Sequence, residues 1–299
     1  MRYVGEIAAL GTALCWATGS SLFVSAGRRM GSVVLNRMRL TAGAVFLGTA
    51  LWVTHGSPWP VWATASQIQI LVASGLVGFV FGDSFYFRSL VILGAGRAAL
   101  LASTSPVLVA ILARVFLGER LGPLALAGIA TTMAGLVIVL YGEVQTERRH
   151  PEGSALVGVV SGLLAAVGQS VGYVLSKMAL QQGLDALSST VVRVGAAVIA
   201  VWLLAPIQGG HARTVASLRD RVALWTMLGG AFTGPFLGVT LSLVALQYTE
   251  AAIAASITAC YPIPALLIAS HFHRELVTPR ILVGALVTVA GVILLFLHP

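Results

Sequence analysis

Charge is what this sequence has least of. Only 9% of its residues are Asp, Glu, Lys or Arg, where a soluble domain carries about a quarter. Hydrophobic residues make up 58%, and the mean hydropathy is +0.94. Those values exclude an ordinary soluble domain. They also exclude a disordered chain, which needs low hydrophobicity and high charge. Cysteine is scarce, and Cys15 and Cys260 both fall inside apolar runs, so neither a disulfide framework nor a metal-ligand spacing is expected. No glycine-rich phosphate loop occurs, which removes an ATP-driven pump. The six histidines stand at the edges of apolar runs or between them. The serines have no His and acid arrangement to activate them. The sequence therefore carries no enzyme pattern and calls for no cofactor and no metal.

The charge that is present leans one way. Eighteen Lys and Arg, all arginine except Lys177, face ten Asp and Glu, for a net +8. In a soluble protein that balance points to nucleic acid. Here the arginines are scattered in ones and twos among apolar runs, as topology signals or buried charges are, and no nucleic-acid partner is expected. A membrane-crossing helix takes about 20 apolar residues. Windows of that kind fall at 3–26, 32–54, 67–91, 97–117, 122–141, 153–177, 185–207, 222–247, 250–272 and 279–298. Linkers such as His55-Gly56-Ser57-Pro58-Trp59-Pro60 and Gly142 to Gly153 carry turn residues or charges. Val24-Ser25-Ala26 would pass as a signal-peptide cleavage site, but the apolar run before it is too long for one.

An internal repeat is the strongest signal. At an offset of 156 residues, Gly78 falls on Gly234, Gly82 on Gly238, Pro106 on Pro262, Glu119 on Glu275, Gly128 on Gly284 and Gly135 on Gly291. An offset of 154 places Arg39 on Arg193. The expected organisation is a first five-helix repeat over 1–141, a linker over 142–152 and a second five-helix repeat over 153–299. Five is odd, so the second copy must enter the membrane in the opposite sense. The expected fold is an all-α integral membrane protein, with ten transmembrane helices as two inverted five-helix repeats around a central cavity. Secondary transporters commonly use such repeats.

Trp16 in the first span, Arg39 in the second, and a Pro followed by Gly-Glu-Arg-Leu and two glycines at the end of the first half resemble the EamA family of the drug/metabolite transporter superfamily. The resemblance covers both halves. It implies ten helices and a central substrate cavity surrounded by spans one, three, four, six, eight and nine, with five and ten more peripheral. The second copy departs from the pattern with His273-Arg274-Glu275-Leu276.

Residues present in both halves serve the shared scaffold first. Gly78, Gly82, Gly234 and Gly238, four apart in each copy, suit close backbone approach in lipid. Pro106 and Pro262 each remove a helical hydrogen bond, and read as static kinks or as hinges facing the cavity; Pro264 adds a second break in span nine. Glu119 and Glu275 precede spans five and ten, where an acid complements the N-terminal dipole of the next helix. Arg39 and Arg193 read as structural. Lys177 and Arg97 lie near span ends, where snorkelling to the interface suits them.

Unpaired polar residues carry the chemistry. Asp83 sits in a span, and its repeat partner is Val239. An intramembrane carboxylate is costly and marks a functional site by default. It can hold a substrate cation or carry a coupling proton; the bland alternative is an ion pair with Arg88 or Arg39. Tyr86 is on nearly the same helix face. Trp16, Ser20, Ser103, Thr104, Gln169, Tyr173, Ser256 and Tyr261 complete the candidate substrate site, since aromatic rings with a few convergent hydroxyls and amides are typical of small-molecule pockets.

The resulting expectation is a secondary-active transporter in the inner (plasma) membrane, multi-pass, exporting a small polar metabolite such as an amino acid, with the proton as a possible coupling ion. The rivals are an organic-anion exchanger using Arg39, Arg88 and Arg193, and a non-transporting membrane subunit. Partners are the small-molecule substrate and membrane lipid, and a monomer is compatible. Orientation divides two arguments. The odd-numbered linkers hold Arg28, Arg29, Arg97, Arg148, Arg149, Arg213, Arg219, Arg221 and Arg274, the terminal side only Arg2 and Arg120. Positive charge stays in the cytoplasm, which places both termini outside; the family resemblance implies the reverse.

Overall fold

The computed structural model describes residues 3–93, 95–146, 154–208, 214, 219–273 and 279–297. Glu275 and most of the inter-repeat linker lie outside the described residues. Every regular element among them is helical. Eight stretches are long and apolar enough to cross a membrane: Val4–Gly27, Ala65–Leu90, Arg97–Phe116, Pro123–Tyr141, Ala155–Gln181, Ala186–Leu203, Arg221–Tyr248 and Pro279–Leu297. A shorter apolar helix covers Ala251–Ala265.

The chain opens with α1 (Val4–Met30) and α2 (Ser32–His55). Gly31, at φ 82°, is the single residue between them. Only a residue without Cβ adopts that angle at no cost, so the glycine permits a turn with no loop. Gly56 ends α2 in the left-handed region and donates its N–H to the Trp52 carbonyl at 2.8 Å. A Thr64–Gln67 capping box starts α3 (Ala65–Gly75). Then follow a π-helical segment, Leu76–Gly82, and α4 (Asp83–Leu93).

Helices α5 (Ala95–Ala102) and α6 (Ser105–Phe116) form a broken span, and α7 (Pro123–Thr146) follows. That helix runs past Gly142, further than the expected linker allowed. The later elements are α8 (Ala155–Gln181), α9 (Ala186–Leu203), a short α10 (Ala205–Gln208) and α11 (Arg221–Ala231). A second π-helical segment, Phe232–Gly238, leads into α12 (Val239–Tyr248). Next come α13 (Ala251–Thr258), α14 (Pro262–His273) and α15 (Pro279–Leu297).

Local irregularities recur at the offset found in the sequence. The two π segments start at Leu76 and Phe232 and end at Gly82 and Gly238. The two broken spans resume at Ser105 and Pro262, within one residue of that offset. Pro106 and Pro262 stand in the first turn after each break, where a missing N–H costs nothing. Pro264 makes no second break, because it occupies the same free first turn of α14. A π turn hydrogen-bonds five residues back rather than four: Asp83 donates its N–H to Gly78, and Val239 to Gly234.

Glycine governs the tightest crossings. A Cβ on Gly172 would lie 3.2 Å from the Gly78 Cα, and one on Gly168 would lie 3.0 Å from the Gly82 Cα. On the other side, Gly19 of α1 packs near Gly234. Helices α7 and α15 cross most closely. Gly128 meets Leu295, Thr132 meets Gly291, Gly135 meets Thr288 and Val139 meets Gly284. Numbers rise along one helix as they fall along the other, so these two repeat-related helices are antiparallel. The contacts are also reciprocal, since Thr132 is the repeat partner of Thr288 and Gly135 that of Gly291. That pattern is what a twofold relation produces. Large apolar side chains such as Val45, Trp52, Ile111, Val115, Trp225 and Leu286 face outward, as lipid requires.

Candidate functional site

A central cavity of about 510 Å³ lies among the helices, within the range of small-molecule sites. Trp16 and Ser20 of α1, Asp83 and Tyr86 of α4, Ser103 and Pro106 at the first break, Gln169 and Tyr173 of α8, and Tyr261 and Pro262 at the second break all line it. Phe23, Phe79 and Thr258 join them. Arg39 and Arg193 line it as well, so the second and seventh spans contribute beyond the six that the resemblance implied. Helices α7 and α15 contribute nothing to the lining.

Not every expected residue arrives. Ser256 is fully buried and donates to the Ala252 carbonyl at 2.7 Å, away from the cavity. Thr104 is not in the lining and donates to the Leu101 carbonyl at 2.7 Å. Ser20 and Ser103 reach the cavity but also donate to their own helices, to Ala17 at 2.9 Å and to Leu100 at 2.7 Å. Arg88 is exposed and outside the lining. Gly78, Gly82, Gly234 and Gly238 act through the backbone, in the π segments that precede Asp83 and Val239.

Asp83 is held from two sides. Arg39 Nη2 lies 2.6 Å from its Oδ2, and Gln169 Nε2 donates to its Oδ1 at 2.9 Å. Arg39 also donates from Nε to Asn36 Oδ1 at 2.9 Å. The same Gln169 nitrogen reaches the Gly78 carbonyl at 3.2 Å, within the π segment. Asp83 is therefore an ion-pair partner of Arg39, the bland alternative of the sequence reading. Arg193 differs. It is 2% exposed, its Cζ sits 4.9 Å from the centre of the Phe79 ring, and its Nε has no hydrogen-bond acceptor. Among the described residues no carboxylate forms an ion pair with it.

The two ends of the cavity are unlike. Toward the α1–α2 turn the lining runs out to Gly27 and Leu35. At the opposite end a buried polar knot closes the bundle. Lys177 Nζ lies 2.5 Å from Glu119 Oε1 and donates to the Thr249 carbonyl at 2.6 Å. Glu119 Oε2 accepts the Ala251 N–H at 2.9 Å, at the start of α13. Thr249 donates to Glu6 at 3.1 Å. Two expectations are corrected here. Lys177 does not snorkel, because Glu119 neutralises it inside the protein. Glu119 caps α13 of the other half rather than the helix that follows it, because its carboxylate accepts the Ala251 N–H.

Comparisons with known proteins agree with the geometry. The model of the EamA-like transporter family matches twice, over residues 3–141 and 156–297. An uncharacterized transporter of Archaeoglobus fulgidus is 25% identical over 292 residues, 97% of each chain. The uncharacterized transporter YvbV of Bacillus subtilis is 28% identical over 139 residues, 46% of this chain and 44% of its own length. The aromatic amino acid exporter YddG of Ancylobacter novellus is 30% identical over 134 residues, 42% of each chain. A solved crystal structure of another protein superposes with a TM-score of 0.74, covering 98% of this chain and 96% of its own at 20% identity; that likeness speaks for the fold alone. With two matches that together cover nearly the whole sequence, the chain belongs to the EamA-like transporter family.

Proposed function

We propose that the protein is a secondary-active transporter of the plasma membrane that moves a small amphipathic metabolite by alternating access, with amino acids as the first class to test and export as the direction. The carrying observation is the central cavity, which both repeats line with aromatic rings and a few charged and amide groups. A cavity whose lining reaches toward one end of the bundle, with a polar knot at the other, fits one half of an alternating-access cycle. The proposed frame is ten crossings in two inverted halves. The antiparallel register of α7 and α15, their reciprocal contacts and the matching π segments all support it. Asp83 is the proposed coupling residue: a proton on it would release Arg39. The aromatic amino acid exporter among the relatives supports the substrate class.

A second reading has one observation in its favour. The cavity holds two arginines and one acid, which suits an organic anion better than a cation, so anion exchange stays a direct rival. Proteoliposomes loaded with tritiated phenylalanine, or with a labelled organic anion, separate the two readings. Amino acid export predicts phenylalanine release faster than from protein-free liposomes, accelerated by unlabelled phenylalanine outside. Release of the anion alone would establish the rival, and release of neither would overturn transport of both classes.

A further inference from the structure

Three buried polar groups from three different helices converge on the cavity with hydrogen-bonding capacity to spare. Arg193 of α9 has an unsatisfied Nε and no ion-pair partner among the described residues. Tyr173 Oη of α8 and Thr258 Oγ1 of α13 are buried side by side, and neither makes a well-formed hydrogen bond. Ser242 also stands beside Tyr173, and its hydroxyl donates to the Val239 carbonyl at 2.7 Å. All four side chains line the same cavity. A buried polar group left unmade costs about 1–3 kcal/mol, and more when charged. Arg193 with the Tyr173–Thr258 pair beside it therefore gives one space both a charged donor and two hydroxyls.

The charge count identifies the ligand. Arg39 and Asp83 cancel, so the cavity carries the single positive charge of Arg193. One negative charge balances it. A guanidinium presents parallel N–H donors that match a planar carboxylate. The hydroxyls of Tyr173 and Thr258 can each donate to a carboxylate oxygen. The Phe79 ring lies against the Arg193 guanidinium, a surface that an apolar body can share. We propose that Arg193, Tyr173 and Thr258 form a carboxylate-binding subsite, and that the transported molecule carries one carboxylate attached to an apolar or aromatic body. This deepens the transport reading and rests on it. It also assigns different work to two arginines that the repeat had made equivalent: Arg39 holds Asp83, and Arg193 holds cargo.

The test uses the full chain in detergent or nanodiscs, with phenylacetate and its neutral isostere phenylacetamide as probes. Phenylacetate is expected to raise the melting temperature and phenylacetamide is not. Arg193→Gln should weaken phenylacetate binding by more than about tenfold, the order expected when one charge-assisted pair is lost. Tyr173→Phe should weaken it less. A structural role would not produce the second signature: without ligand, Arg193→Met should melt no lower than the unmodified protein, because the substitution removes a buried charge that forms no ion pair. Equal responses to the acid and the amide would overturn the subsite, as would a clear loss of stability in Arg193→Met. If neither probe shifts melting, the Arg193→Met result alone decides. Failure of the transport reading looks different: no labelled compound moves, whatever residue 193 is.

Discussion

Replacing Asp83 with Asn isolates one charge in the centre of the molecule. The amide keeps the size of the carboxylate and can still accept from Gln169, so what is lost is the ion pair with Arg39. Both side chains are buried, 8% exposed for Arg39 and 14% for Asp83. Removing one partner of a buried pair costs about 3–5 kcal/mol, because the other charge is left unpaired. Arg39 keeps Asn36 as an acceptor, which places the loss at the lower end, about 3 kcal/mol. Arg39→Met is expected to cost less. It leaves Asp83 with Gln169 and within electrostatic reach of Arg193, whereas Asp83→Asn leaves two arginines facing one cavity with no acid. The double variant should recover most of the difference, with a coupling of about 2 kcal/mol. Thermal unfolding in detergent reads all three. With an unfolding entropy of about 2.1 cal/mol/K per residue over 299 residues, the single Asn variant should melt roughly 5 °C below the unmodified protein. Strictly additive effects would show that the pair, at 2.6 Å, contributes nothing to stability. In proteoliposomes Asp83→Asn should lose or uncouple transport, and normal transport from acid to mildly alkaline pH would remove Asp83 from the mechanism.

Lys177→Met should leave Glu119 buried beside the start of α13 without its cation. The closed end should then open more readily, with a cysteine at Thr249 labelled faster than in the parent. Gly135→Leu should separate α7 from α15, since any Cβ there overlaps Thr288 and lies 2.7 Å from the Gly284 carbonyl. A cost of at least about 2 kcal/mol follows from overpacking, visible as a lower melting temperature. Asp220 caps α11 by accepting from Val222 and Ala223 and pairs with Arg29 at 3.1 Å. The Ala223 amide first and Arg29 next hold its carboxyl below the usual carboxylate range. Its stabilisation is therefore full above the unfolded value near about 3.9 and fades as pH falls through that range; Asp220→Ala should flatten this acid dependence. A single cysteine at Glu147, with Cys15 and Cys260 replaced, should resist a membrane-impermeant thiol reagent in intact cells if the charge count is right. Labelling would place the odd-numbered linkers outside.

Most of the scaffold was legible because it is built from sparse residues at one fixed offset. Glycines and prolines impose backbone consequences that neighbours cannot hide, so Gly78, Gly82, Pro106 and their partners pointed to the irregular parts of the helices. Their form was less visible. Four-residue glycine spacing predicts close packing, and close packing is found, but the π turns depend on backbone hydrogen bonds that no side-chain pattern encodes. Pro235, inside the second π segment, was the available signal and has no repeat counterpart, since Phe79 stands at that offset. Contacts between the halves were the least legible. Glu119 with Lys177 and Ala251 joins residues far apart in sequence, and periodicity carries no information on such pairings.

Symmetry bears on the partners of the site residues as much as on the residues themselves. By the repeat alone, Arg39 and Arg193 belong to the scaffold because they match, and Asp83 to function because its partner is Val239. The structure pairs Arg39 with Asp83. Transferring that pair to the other half places Arg193 opposite Val239, which can neutralise nothing. The acid missing from the second half therefore says as much about its arginine as about Asp83. One duplicated arginine kept a protein partner. The other stayed buried against Phe79 with its Nε unsatisfied, a state that costs stability unless a ligand completes it. In a duplicated chain a matched residue without a matched partner is thus as strong a functional candidate as the unmatched one.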